Sequence, residues 1–244
     1  MKKTTKHNST TQLRAGLLGL AALLLLALTA STAKATTIFQ VNSKTYYGKT
    51  YGDWVVAYWQ WAMSIPFSIN PWANDPTGVN AANGQSGPVW FLGGSLGDSE
   101  TKNVTIPADK AIFLPVNQWI FGATVGDCAP SNPGVDCNLP TLKKSAAAAA
   151  KADSVLEVSI DGLAVSDVKD FRVLSPTAFN VTMPDDNVPE AFGYALPAGT
   201  YGPQVADGYY MLLAPLGAGS HTIVVHVISL LGFEYFITYN ITSQ

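Results

Sequence analysis

The 244-residue sequence is poor in charge. Only 13% of its residues are charged, about half of the roughly 25% that is usual for a globular domain, whereas 48% are hydrophobic. This balance excludes a disordered chain, in which low hydrophobicity accompanies high net charge. The formal net charge of −3 offers no basic surface for nucleic acid, so we expect no nucleic-acid partner.

Histidine and catalytic motifs are also scarce. Beyond residue 35 only His221 and His226 remain, and a spacing of five in a strand projects them to opposite faces, where they cannot share a metal ion. The Gly-Gln-Ser-Gly segment at 84–87 lacks the spacing of a nucleophile elbow. The glycine-rich segment at 93–97 lacks the lysine and helix that follow a phosphate loop. The sequence therefore favours a protein without enzymatic activity.

The first 35 residues have the three parts of a secretory signal peptide. Four basic side chains precede an apolar run over 15–30, and Ala-Lys-Ala at 33–35 supplies a cleavage site. The run is shorter than the roughly 20 residues that span a bilayer, so an uncleaved anchor is the weaker alternative. We predict cleavage after Ala35, a single domain over 36–244 without a membrane span, and a secreted or periplasmic location. Five of the 14 basic residues precede this point, which leaves nine against 17 acidic residues and a formal charge of −8.

Two cysteines, Cys128 and Cys137, lie in the exported part. Export permits a disulfide, and the eight intervening residues, rich in Pro, Gly and Asn, can fold back to close the loop. We predict a bridge, with two free thiols as the alternative. The pair alone does not suit zinc, which takes four ligands.

Turn residues separate many short apolar or alternating segments, which is typical of a β-sandwich. Asp161-Gly162 predicts a hairpin turn, and 221–229 predicts the longest strand, apolar on both faces and therefore covered on both. Aromatic residues at helical spacing predict a helix over 54–63 with a cap at Gly52-Asp53, and an Ala-rich segment predicts another over 141–154. We predict a mainly β sandwich, jelly-roll or Ig-like, with an aromatic-rich N-terminal helix and an inserted Ala-rich helix.

Nine aromatic residues fall between positions 46 and 72, and four of the six tryptophans are among them. One interpretation is a sugar-binding face, since the CH groups of pyranose rings stack on flat aromatic surfaces. Trp59, Trp61 and Trp72 are then the candidate ligand-binding residues. The other interpretation is a core helix packed against the sandwich, because the rings recur at helical spacing.

Acidic and polar side chains suggest two further sites. Glycan hydrolysis needs two carboxyl groups with separated pKa values; no spacing selects a pair, and Glu234 and Asp75 are the candidate catalytic residues. Burial among aromatic neighbours would raise the pKa of Glu234, whereas an edge strand would leave it in solvent. Asn74, Asp75 and Thr77 supply oxygen ligands for a candidate calcium site, with turn capping as the alternative. We expect no other cofactor.

Several segments resemble a group of uncharacterised secreted bacterial proteins. The resemblance is carried by Gly-Gln-Ser-Gly-Pro-Val-Trp-Phe-Leu at 84–92, by Ile-Pro-Ala-Asp-Lys-Ala-Ile-Phe-Leu-Pro at 106–115, and by segments 207–211 and 216–222. It implies export, but it implies no activity and no catalytic residue.

These features together predict a secreted non-enzymatic binding or structural protein whose partner is an extracellular glycan or another surface component. One alternative is a secreted glycan-active hydrolase with a carboxylate pair in an aromatic cleft. A second is a periplasmic small-molecule binder, which needs an apolar pocket of several hundred Å³.

Overall fold

A computed structural model describes residues 35–122, 138–193, 196–229 and 232–244. Cys128 and Cys137 and all but the last residue of the predicted signal peptide lie outside this part. Within it the chain forms two α-helices and eleven strands in two sheets, which confirms the predicted mainly β sandwich with an aromatic-rich and an Ala-rich helix. Neither of these helices is long and apolar enough to cross a bilayer.

Sheet 1 is organised around its longest strand, β9 (Gly199–Leu213). Its strands are β1 (Ile38–Phe39), β2 (Val89–Phe91), β4 (Ala111–Gly122), β7 (Arg172–Leu174), β8 (Phe179–Met183) and β9 (Gly199–Leu213). One edge of β9 pairs with β4, and the other pairs in succession with β8, β7 and β1. The prediction that 221–229 is the longest strand is wrong, because the glycines and proline at 199–208 disguise the first half of β9.

The strands of sheet 2 are β3 (Glu100–Ile106), β5 (Val155–Ile160), β6 (Leu163–Ala164), β10 (Gly219–Ile228) and β11 (Glu234–Ser243). They lie in the order β3-β11-β10-β5-β6. Asp161 and Gly162 join β5 to β6 with φ angles of 51° and 79°, as the predicted hairpin turn requires. Alternate residues of β10 are buried, but Val224 and Ile228 are only half-buried on the outer face, so the predicted covering on both faces is wrong.

Sheet 1 lies between two apolar cores. Helix α1 (Tyr51–Ser64) packs on one face of sheet 1, and sheet 2 packs on the other. The alternation along β9 serves both cores, because Leu212 faces α1 while Met211 and Leu213 face sheet 2. The described part of the chain therefore has three layers, and the central layer contributes side chains to both cores.

The two helices begin at capping side chains. In α1 the cap is Thr50, not the predicted Gly52-Asp53: the backbone N–H of Asp53 donates to Thr50 Oγ1 and that of Thr50 donates to Asp53 Oδ2, both at 3.2 Å. The Ala-rich helix α2 (Leu139–Lys151) begins after Asn138, whose Oδ1 accepts the N–H of Thr141 at 3.0 Å. It packs on β9 on the side of sheet 2, where the Tyr209 hydroxyl donates to the carbonyl of Ala150.

A β-bulge in β4 changes which residues face each core. Its register with β9 shifts between Pro115 and Asn117. Before the bulge Leu114 faces sheet 2, and after it Trp119 does so, because one inserted residue reverses the alternation. The strands approach closely here: a Cβ on Gly208 would lie 2.5 Å from the carbonyl oxygen of Asn117. The bulge thus depends on a glycine in the partner strand.

Candidate functional site

The second half of β4 has an open edge. Strand β2 pairs only with Ala111–Phe113, so from Leu114 onward β4 has β9 on one side and no strand of the described residues on the other. A cavity of about 280 Å³ lies along this edge, and we call it the edge cavity. Its aromatic lining consists of Trp59, Trp72, Trp119, Phe192, Phe233 and Tyr235. Ligand pockets usually occupy roughly 300–1,000 Å³, so the edge cavity suits a single small ring.

The inner wall comes from α1 and the loop after it. Trp59 is 1% exposed and donates its indole Nε1–H to the hydroxyl of Tyr210 at 3.0 Å. The Trp72 ring meets it edge to face, with centroids 4.9 Å apart. The buried Asn70 side chain sets this position: its Nδ2 donates to two carbonyls at the end of α1, at 2.7 and 2.9 Å, and its Oδ1 accepts the N–H of Trp72 at 3.0 Å.

A buried ammonium group also holds this loop. Lys102 is 2% exposed, and its Nζ donates to the carbonyl oxygens of Pro71, at 3.2 Å, and Asp75, at 2.6 Å. It forms an ion pair with Glu100 at 2.9 Å, although burial still raises the pKa of Glu100. The loop is therefore already built around a positive charge.

That charge argues against the candidate calcium site at Asn74, Asp75 and Thr77. In the part of the chain that the structure describes, no group of three or more His, Cys, Asp or Glu residues is placed to hold a metal ion. The Asp75 carboxylate caps a turn instead, since its Oδ2 accepts the N–H of Asn80 at 3.0 Å. This geometry fits the turn-capping interpretation, and the Lys102 ammonium on the carbonyl oxygen of Asp75 would repel a cation at the same loop.

The wall on the side of sheet 2 depends on the β4 bulge. The bulge turns Asn117 toward sheet 2, where its Oδ1 accepts the hydroxyl of Tyr235 at 3.0 Å. Burial raises the pKa of Tyr235, so this hydroxyl remains a protonated donor. Three N–H donors of lining residues are buried without a partner: Trp72 Nε1, Trp119 Nε1 and Asn117 Nδ2.

Three of the remaining lining residues are apolar side chains that are partly exposed to solvent. Phe233 is 59% exposed, Phe192 46% and Leu96 41%, and all three line the edge cavity. Large apolar side chains that remain in solvent beside a cavity are typical of a binding site. They form the rim of a cavity whose inner wall is tryptophan.

Comparisons with known proteins add little to this geometry. No protein-family model and no curated protein matches the chain. One solved structure, described as "Structure of PbICP-C in complex with falcipain-2", is similar over 65% of this chain and 100% of that chain, with 10% sequence identity and a TM-score of 0.22. A likeness at that level carries no argument about fold or function.

The structure separates the three tryptophans that the sequence groups. Trp59, Trp61 and Trp72 are all at least 94% buried, as the core-helix interpretation requires, so they do not form an exposed sugar-binding face. Trp59 and Trp72 nevertheless line the edge cavity. Trp61 does not: its Nε1 donates to the carbonyl of Asn83 and its ring packs against Phe91.

The candidate catalytic carboxylates are not brought together. Glu234 lies on β11, which is inside sheet 2 and not at its edge, but its side chain is 55% exposed, so it faces solvent as the alternative predicted and is not buried among aromatic neighbours. Its Oε1 lies 2.9 Å from His226 Nε2, while Glu157 Oε2 lies 2.9 Å from His226 Nδ1. The hydrogen bond to Glu157 is the main cause of a raised pKa at His226, and Phe236 stacks on the imidazole at 4.2 Å. Asp75 belongs to the Lys102 loop instead.

One motif was missed in the sequence. Residues 93–97 read Gly-Gly-Ser-Leu-Gly, which has the Gly-x-Ser-x-Gly spacing of a nucleophile elbow, and Ser95 lines the edge cavity. However, the Ser95 hydroxyl donates to the carbonyl of Asp98 and accepts the N–H of Gly97, so it closes a turn. Both described histidines are bonded to carboxylates elsewhere, and the carboxylate beside Ser95 is that of Glu100, which is paired with Lys102.

Proposed function

We propose that the chain is an exported binding protein that holds one sugar ring of an extracellular glycan in the edge cavity. The observation that carries this proposal is the cavity itself, in which six aromatic side chains surround about 280 Å³ beside an open strand edge. Aromatic faces match the CH faces of a pyranose ring, and the volume suits one ring rather than a length of polymer. The signal-peptide pattern of the first 35 residues supports export.

The lining argues for binding without hydrolysis. No Asp or Glu of the described residues lines the edge cavity, whereas glycoside hydrolysis requires two carboxyl groups beside the scissile bond. Glu157 and Glu234 are both bonded to His226 on the outer face of sheet 2. A periplasmic small-molecule binder would use the same cavity, and a negative glycan array with a positive small-molecule screen would favour it.

The rim residues provide the test. In a polysaccharide pull-down, Phe233→Ala and Phe192→Ala should each weaken binding about tenfold, because burying a phenyl ring against a ligand is worth roughly 1.5–3 kcal/mol. The melting temperature should hardly change, since both rings are largely exposed. Phe236→Ala is the matched control, because Phe236 is 44% exposed but lies outside the edge cavity. Unchanged binding in both rim variants would refute the proposal.

A further inference from the structure

We infer that the edge cavity selects a sugar that carries an acetamido group, an inference that rests on the proposed function. The polar side-chain atoms of its wall that are buried without a partner are all donors: the indole N–H groups of Trp72 and Trp119 and the Nδ2 of Asn117. An indole nitrogen only donates, and the Asn117 Oδ1 already accepts the Tyr235 hydroxyl. The unpaired buried atoms of the wall therefore all offer a hydrogen bond, and none of them can accept one.

An acceptor on the ligand satisfies these donors. Buried polar groups in native proteins are almost always hydrogen-bonded, so three unpaired donors in the wall of one cavity favour a ligand that brings an acceptor. Each nitrogen exposes less than 1 Å², and small side-chain rotations of the kind that accompany binding would bring it to a ligand. A carbonyl oxygen offers two lone pairs and asks for no acceptor in return, whereas a sugar hydroxyl needs one for its own hydrogen.

Charge decides between a neutral carbonyl and a carboxylate. No Lys, Arg or His of the described residues lines the edge cavity, so a carboxylate would lose its hydration without meeting a cation. The predicted mature chain is acidic, which further disfavours an anion. An acetamido group fits better: its carbonyl takes the donors and its methyl group rests on the aromatic walls, which a hydroxyl cannot provide. Its N–H needs an acceptor, as a hydroxyl hydrogen does, and the side-chain oxygens of Gln118 and Ser229 also line the cavity.

Four monosaccharides test the inference. The purified chain is titrated with N-acetylglucosamine, glucose, glucosamine and glucuronic acid, and binding is followed by calorimetry. We expect N-acetylglucosamine to bind at least about tenfold more tightly than the other three, because they lack the neutral carbonyl. Equal binding of glucose, or tighter binding of glucuronic acid, would overturn the acetamido inference while the proposed function stands. Binding of none of the four would overturn the inference, and an empty glycan array would remove the proposed function as well.

Variants without the indole N–H separate recognition from packing. Trp119→Phe and Trp72→Phe keep an aromatic ring, and each should weaken N-acetylglucosamine binding about three- to tenfold, the loss expected for one hydrogen bond. Trp90→Phe is the matched control, since Trp90 Nε1 is also buried without a partner but Trp90 does not line the edge cavity. Calorimetric affinity for glucose should fall less than that for N-acetylglucosamine. An equal loss for both sugars, or for the Trp90 control, would refute the assignment of these donors.

Discussion

Lys102 shows how one buried side chain can hold a loop in place. Burying an ammonium group is costly unless its hydrogens are paired, and here two carbonyl oxygens and the Glu100 carboxylate surround it within 3.2 Å. Side chains along β3 alternate between exposed and buried, and residue 102 is one of the buried ones. The loop at 71–75 folds over it. The loop that carries Trp72 is therefore stabilised by the protein's own cation.

Replacing this lysine tests that role. Lys102→Met should lower the free energy of unfolding by about 3–5 kcal/mol, since it leaves the Glu100 carboxylate buried without its partner. Urea denaturation measures the change. Lys110→Met is the control: Lys110 also donates to a carbonyl, that of Gly87 at 2.8 Å, but in an exposed position, so its effect should stay within about 0.5 kcal/mol. Equal effects of the two variants would show that the buried ammonium is not what holds the loop.

At the scale of the secondary-structure element, features that depend on neighbouring residues could be predicted from the sequence. Features that depend on the pairing of distant strands could not. The helix α1 and the turn at Asp161-Gly162 follow from spacing and turn chemistry within a few residues. The β4 bulge could not be predicted in this way, because residues 111–116 and 119–121 are almost all apolar. A reversal of the inward and outward positions inside such a run does not change the hydrophobic pattern of the sequence. Only the pairing with β9 shows that Asn117 turns toward sheet 2.

The glycine opposite the bulge should be indispensable to it. In Gly208→Ala the new Cβ would lie 2.5 Å from the carbonyl oxygen of Asn117 and 2.8 Å from the Cα of Gln118. Both are backbone atoms, so the strand itself would have to move to relieve the clash. We expect a loss of about 1–3 kcal/mol in unfolding free energy, as for overpacked cores, and weaker ligand binding because the cavity wall moves. Gly199→Ala is the control, since its nearest contact is the Tyr201 side chain at an ordinary 3.4 Å. Wild-type stability of the Gly208 variant would contradict this account of the bulge.

At the scale of the whole molecule, the site belongs to all three layers. Trp59 comes from α1, Asn117 from sheet 1 and Tyr235 from sheet 2, and the sequence separates them by dozens of residues. Composition could predict that the aromatic rings would be buried, but not that two of them would border a cavity. That outcome depends on where β2 ends beside β4, which is a matter of strand pairing across the chain.

Because sheet 1 contributes side chains to both cores, we expect the three layers to unfold together. Trp59→Ala removes a ring from the core beneath α1 and should cost about 3–5 kcal/mol, and Ile223→Ala in the core beneath sheet 2 about 2–5 kcal/mol. Near-ultraviolet circular dichroism reports the tryptophan-rich α1 layer, and far-ultraviolet circular dichroism reports the strands. In both variants we expect the two signals to change in one coincident transition, at a lower denaturant midpoint than in the wild type. Leu163→Ala, an exposed hairpin position, should leave the midpoint unchanged. If Trp59→Ala melted the near-ultraviolet signal alone, the α1 layer would be an independent folding unit, and the shared sheet would not couple the two cores.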